Sequence, residues 1–122
     1  MSRIAFPIAG LAVAVALVAP SAGIGMGAAT KLTGTTGPGF TITLKKGTAK
    51  VKTLKAGKYS ITVKDRSNQH NFRLKGPGLN KQITGLSFKG SKTVLVTLKK
   101  GKYTYQCDPH ATQGMKGTFR VT

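Results

Sequence analysis

Residues 40–122 alternate between apolar and polar positions in short runs that are repeatedly broken by Gly, Pro and Lys. Phe40-Thr41-Ile42-Thr43-Leu44 has the period of two expected of a half-buried strand, and Lys45-Lys46-Gly47 ends it. Lys50–Leu54 is a weaker strand with lysines outward, and Lys58–Lys64 alternates cleanly with Tyr59, Ile61 and Val63 inward. After the polar loop Asp65–Asn68, alternation resumes over Asn71–Leu74 and stops at Gly76-Pro77-Gly78. Gln82–Phe88 fits either a short strand or an irregular crossing. Lys92–Leu98, Lys102–Cys107 and Gly117–Thr122 complete the set. Thr30–Gly39, rich in Thr and Gly, reads as a loose arm leading into the first strand.

No segment sustains a 3.6-residue apolar period. The pattern predicts an all-β fold, an antiparallel sandwich of seven to eight strands. Two stretches echo one another: Thr53–Ser60 and Thr97–Thr104 each carry a Leu, a Gly turn and an inward Tyr. With only two copies this is one corner solved twice, not a solenoid.

The first 29 residues have a different character. Ser2-Arg3 is a short basic start, Ile4–Ala19 is almost wholly apolar, and small residues fill Pro20–Ala29. This is the layout of a secretory signal peptide, cleaved after Gly23 or after Ala29. The apolar run, interrupted by Pro7 and Gly10, is short for a membrane span, which takes about 20 residues. Residues 30–122 then form one domain with no membrane span, expected outside the cytoplasm. Its single cysteine cannot form an internal disulfide, so a bound metal is one way to add stability.

That cysteine lies in Tyr105-Gln106-Cys107-Asp108-Pro109-His110-Ala111-Thr112-Gln113-Gly114-Met115. Past the leader the chain has one Cys, one Met and two His, the second being His70. Thiolate, two imidazoles and thioether are the donors of a His₂Cys site with a weak axial Met, which suits copper in both oxidation states. Taken singly, each residue has a plainer reading: a free thiol, a core methionine, a surface histidine. Taken together, all four fall at ligand positions. Zinc accepts Cys and His too, but the thioether favours copper.

The Cys-x2-His-x4-Met run, preceded by Tyr-x and followed by Lys-Gly-x-Phe-x-Val, resembles the metal loop of plastocyanin-like cupredoxins. His70-Asn71-Phe72 resembles that family's other ligand segment. The resemblance implies a Greek-key sandwich with one copper ion held by His70, Cys107, His110 and Met115, and single-electron transfer with His110 as the port. It also implies that Asn71 ties the two ligand segments together. Asp108 stands where many relatives carry Ser or Thr, and a carboxylate there should slightly disfavour the reduced metal.

Charge adds a partner class. Residues 30–122 keep 19 of the 20 Lys and Arg against Asp65 and Asp108, a balance of 19 − 2 = +17. Such a field favours an acidic redox partner, although lysines at outward strand positions also serve as plain solvated surface. Nucleic acid is disfavoured because most aromatics sit at inward positions. A multicopper enzyme needs further histidines, and both are used. The expectation is therefore a monomeric electron carrier and not an enzyme. Copper storage, delivery or buffering at the cell surface is the alternative, and a metal-free adhesion sandwich leaves the four donors unexplained.

Overall fold

The computed structural model describes residues 28–122, so most of the expected leader lies outside the described residues. Ten strands form: β1 Thr30–Thr36, β2 Ile42–Lys46, β3 Ala49–Lys50, β4 Thr53–Leu54, β5 Gly57–Asp65, β6 Phe72–Gly76, β7 Leu79–Thr84, β8 Gly90–Leu98, β9 Gly101–Gln106 and β10 Lys116–Val121. They build two five-stranded sheets, ordered β3-β2-β1-β5-β8 and β4-β10-β9-β6-β7. The chain passes from one sheet to the other between β3 and β4, β4 and β5, β5 and β6, β7 and β8, and β8 and β9. The result is the expected two-layer all-β sandwich.

The alternation sets which side chains meet between the layers. Leu32, Leu44, Ile61, Val63 and Leu98 of the first sheet face Phe72, Leu74, Tyr103, Tyr105 and Phe119 of the second, all essentially shielded from water. The rings stack in pairs: Phe72 on Tyr105 at 5.7 Å between centroids and Tyr103 on Phe119 at 5.2 Å. Every aromatic read as inward from the sequence is buried. The echoed corner is also real. Tyr59 Oη donates to the Lys55 carbonyl at 2.6 Å, and Tyr103 Oη donates to the Lys99 carbonyl at 2.8 Å. In both cases a buried ring locks the turn four residues upstream.

The structure departs from the sequence reading in its strand count, ten where seven to eight are expected, and in four features of the sheets. Thr30–Thr36 is not a loose arm but the central strand of its sheet, paired with β2 and β5. Its inward residues are Leu32, Gly34 and Thr36. Only one of the three is apolar, so the buried face leaves no hydropathic alternation. Gly34 is needed because a Cβ there would sit 2.9 Å from Phe72 Cε2 and 3.1 Å from Val63 Cγ2. Second, β1 runs parallel to β5 and β4 parallel to β10, so the sandwich is not wholly antiparallel.

Third, Lys50–Leu54 is not one strand. It divides into β3 and β4 in opposite sheets, with buried Val51 between them. The Val51 amide still bonds the Leu44 carbonyl at 2.9 Å, while the Lys52 carbonyl already accepts from Arg120 N–H at 3.0 Å. Fourth, the ambiguous Gln82–Phe88 stretch is strand only as far as Thr84, its strand having begun at Leu79. Among the described residues no helix is long and apolar enough to cross a membrane.

Candidate metal centre

Cys107 directly follows β9, and the chain then tightens into a 3-10 helix over Asp108–Gln113. Pro109 suits its first turn, where no amide partner is needed. Gly114, with φ of 90°, reverses the chain in the left-handed region that glycine adopts at least cost. The loop then closes on itself. Cys107 N–H donates to Met115 O at 3.0 Å, His110 N–H to Cys107 O at 3.1 Å, and Met115 N–H to His110 O at 3.2 Å. These three residues are thus held by each other's backbone before any metal is considered.

His70 reaches the same end of the sandwich just ahead of β6. Its Nδ1 lies 3.0 Å from His110 Nδ1 and 3.6 Å from Cys107 Sγ, and Cys107 Sγ lies 3.4 Å from His110 Nδ1. Two donors about 2.0–2.3 Å from a shared ion, at trigonal to tetrahedral angles, stand roughly 3.3–3.6 Å apart. Both sulfur–nitrogen separations match that spacing, the two Nδ1 atoms stand slightly closer, and the donor atoms all fall within 4.8 Å of one another. His70 and Cys107 are fully buried, and His110 is half-buried. Met115 is fully buried beside them, its carbonyl and amide both bonded to ligand residues. The four residues are arranged as a copper site: soft sulfur, two imidazoles and a thioether in one pre-shaped place.

Several supporting contacts had no signal in the sequence. His70 Nε2 points at the Pro38 carbonyl, 3.3 Å away. A proton held on Nε2 by that carbonyl leaves the Nδ1 lone pair free for metal. Gly37-Pro38-Gly39 looks from the sequence like no more than a breaker. Phe40, read as the start of a strand, instead lies outside β2 with its ring 4.6 Å from His110 and 5.7 Å from His70. It remains 63% exposed, a large apolar ring at the mouth of the site.

Asn71 does tie the two ligand segments together, and Asp108 does not disturb the tie. Asp108 N–H donates to Asn71 Oδ1 at 2.7 Å, and Asn71 Nδ2 donates back to Asp108 Oδ2 at 2.8 Å and to Gln82 Oε1 at 3.0 Å. The Asp108 carboxylate also accepts from Gln106 Nε2 at 3.0 Å and from Arg73 Nε at 2.8 and 3.1 Å. Burial alone would raise the Asp108 carboxyl. The hydrogen bonds from Gln106, Arg73 and Asn71, with the Arg73 charge, outweigh it and hold the group below the ordinary carboxylate value.

Asp65, the only other acid, has the opposite setting. It is 2% exposed, and its Oδ2 and the Thr84 hydroxyl are both buried without a hydrogen-bond partner. Burial pushes its carboxyl up, and the Ser67 amide, which donates to Oδ1 at 3.2 Å, offsets this only in part.

Residues 41–122 match the family described as copper binding proteins, plastocyanin/azurin family. No curated protein matches the chain by sequence. Among solved structures it is similar to the copper protein rusticyanin, with a TM-score of 0.59 at 20% identity over 79% of each chain. Rusticyanin from Thiobacillus ferrooxidans gives 0.56 at 21% over 79% of each chain. Reduced rusticyanin gives 0.56 at 22%, covering 79% of this chain and 81% of that one. These likenesses carry the fold.

Proposed function

Because the chain belongs to the plastocyanin/azurin family of copper-binding proteins, we propose that it is a blue copper protein that carries single electrons outside the cytoplasm. His70, Cys107, His110 and Met115 would hold the copper ion, with the thioether as the weakest of the four donors. The observation that carries this reading is the approach of both Nδ1 atoms and Cys107 Sγ to within 3.0–3.6 Å of one another, with His70 and Cys107 fully buried. Copper supplies the one-electron couple. The chain supplies a thiolate shielded from water and two imidazoles whose positions are set by a self-closed loop and by the Pro38 carbonyl. A site already shaped for trigonal ligation needs little rearrangement when its charge changes.

Half-buried His110, covered on one side by the exposed Phe40 ring, is the port through which the electron passes. The excess of lysine and arginine favours an acidic partner protein. Both histidines are committed to the one centre, so the chain is a carrier and not an enzyme. The leader-like start supports export.

Titration of the purified domain with Cu(II) tests the reading. Wild type should develop intense visible absorption from thiolate-to-copper charge transfer at one copper per chain, and Cys107→Ser should remove it. A wild type that binds one copper and stays colourless would overturn the assignment. Ready surrender of that copper to an acceptor, with slow electron exchange, would point to copper delivery instead.

A further inference from the structure

Residues 30–122 hold 19 lysines and arginines, yet among the described residues a single ion pair forms, Arg73 with Asp108. An isolated pair with both side chains partly exposed, 26% and 33%, adds little to stability. This pair, however, is not isolated. Arg73 Nε reaches both carboxylate oxygens, at 3.1 and 2.8 Å, and its other arm donates to Asn80 Oδ1 at 3.0 Å. The guanidinium is therefore held from β7 while it grips the residue directly after Cys107. The planar fork permits this double hold, which an ammonium cannot reproduce.

We propose that Arg73 is a positioning and charge-compensating residue for the copper centre. By clamping Asp108 it keeps the Cys107–Asp108 corner docked on the His70–Asn71 segment and cancels the negative charge beside the thiolate. The inference rests on the copper reading above. An uncompensated carboxylate next to Cys107 stabilises the more positive, oxidised metal and so lowers the reduction potential. With Arg73 in place that bias is largely absent, and Asp108 works as a hydrogen-bonding hub with little net charge.

The test compares wild type, Arg73→Gln, Arg73→Lys, Asp108→Asn and the Arg73→Gln/Asp108→Asn double variant. Reduction potentials are read on the copper-loaded proteins, and amide hydrogen exchange at Asp108 on the metal-free ones. Expected potentials rise in the order Arg73→Gln, wild type, double variant, Asp108→Asn, with the double variant near wild type. Arg73→Lys should recover most of the potential lost in Arg73→Gln. The Asp108 amide should exchange about tenfold faster in metal-free Arg73→Gln and in Arg73→Lys, since neither keeps the fork.

A blue Arg73→Gln protein with wild-type potential, or a potential above it, overturns the charge role. Unchanged exchange overturns the positioning role. If Arg73→Gln does not fold, Arg73→Lys and Asp108→Asn still give the exchange rate and the upward shift. A colourless wild type would strike at the copper reading instead, and the metal-free exchange result stands apart from it.

Discussion

Replacing Asn71 by leucine, a side chain of similar size, isolates what its amide does. Asn71 is fully buried and makes three side-chain hydrogen bonds, two of them to Asp108 at 2.7 and 2.8 Å and one to Gln82 at 3.0 Å. The bond to the carboxylate is worth about 1.5 kcal/mol, at the low end for a charged acceptor because Arg73 and Gln106 still serve Asp108. The Asp108 amide bond adds about 1 kcal/mol and the exposed Gln82 partner about 0.5. Apolar burial of the leucine returns a fraction, which leaves a net loss of roughly 2 kcal/mol. For a domain of this size that lowers the melting temperature of the metal-free protein by about 8–16 °C. Because the lost bonds join the His70 segment to the Cys107 loop, copper affinity should also fall, by about 10- to 100-fold. Denaturant unfolding of the metal-free variant measures the first effect, and competition with a chelator of known affinity measures the second. A variant within about 0.5 kcal/mol of wild type, with unchanged copper affinity, would refute the view that Asn71 couples the two halves of the site.

Two further perturbations address the surroundings of the site. Asp65 is buried with its carboxyl pKa raised, so its neutral form is the one the fold favours: its contribution is fully present below the unfolded-state value and is lost as pH rises through the folded one. Asp65→Asn should therefore raise the melting temperature at pH 7 by about 4–8 °C, for roughly 1 kcal/mol, with the gain vanishing below about pH 4; no gain at neutral pH sinks the argument. Reduction of the copper form by an acidic redox protein should slow as salt rises, while reduction by an uncharged small reductant should not. Equal salt independence for both would remove the docking role of the basic surface.

What could be read from the sequence was whatever one local stretch encodes. Lys58–Lys64 and Lys102–Cys107 alternate strictly, and both are strands to within a residue or two. Cys107, His110 and Met115 sit on one loop, and His70 was found by elimination, because only two histidines exist. The rest depended on contacts between distant segments. Strand β1 hid because its inward positions include Gly34 and Thr36, whose places are set by the Phe72 ring and by the Asn71 carbonyl that Thr36 bonds at 3.2 Å. The Pro38 carbonyl, Phe40 and Arg73 support the centre from 32, 30 and 35 residues away from their partners. Neither period nor spacing registers such meetings.

The placement of the loop has a consequence for the order in which the protein is made. Cys107, His110 and Met115 all follow β9 in the chain, and strand β10 then seals the second sheet against both β9 and β4. A chain delivered amino end first can assemble β1, β2 and β5 while its grip on metal is still unborn. Metal binding therefore waits on the segment that follows β9, and a nascent polypeptide halted before Cys107 offers copper one lone imidazole and no socket.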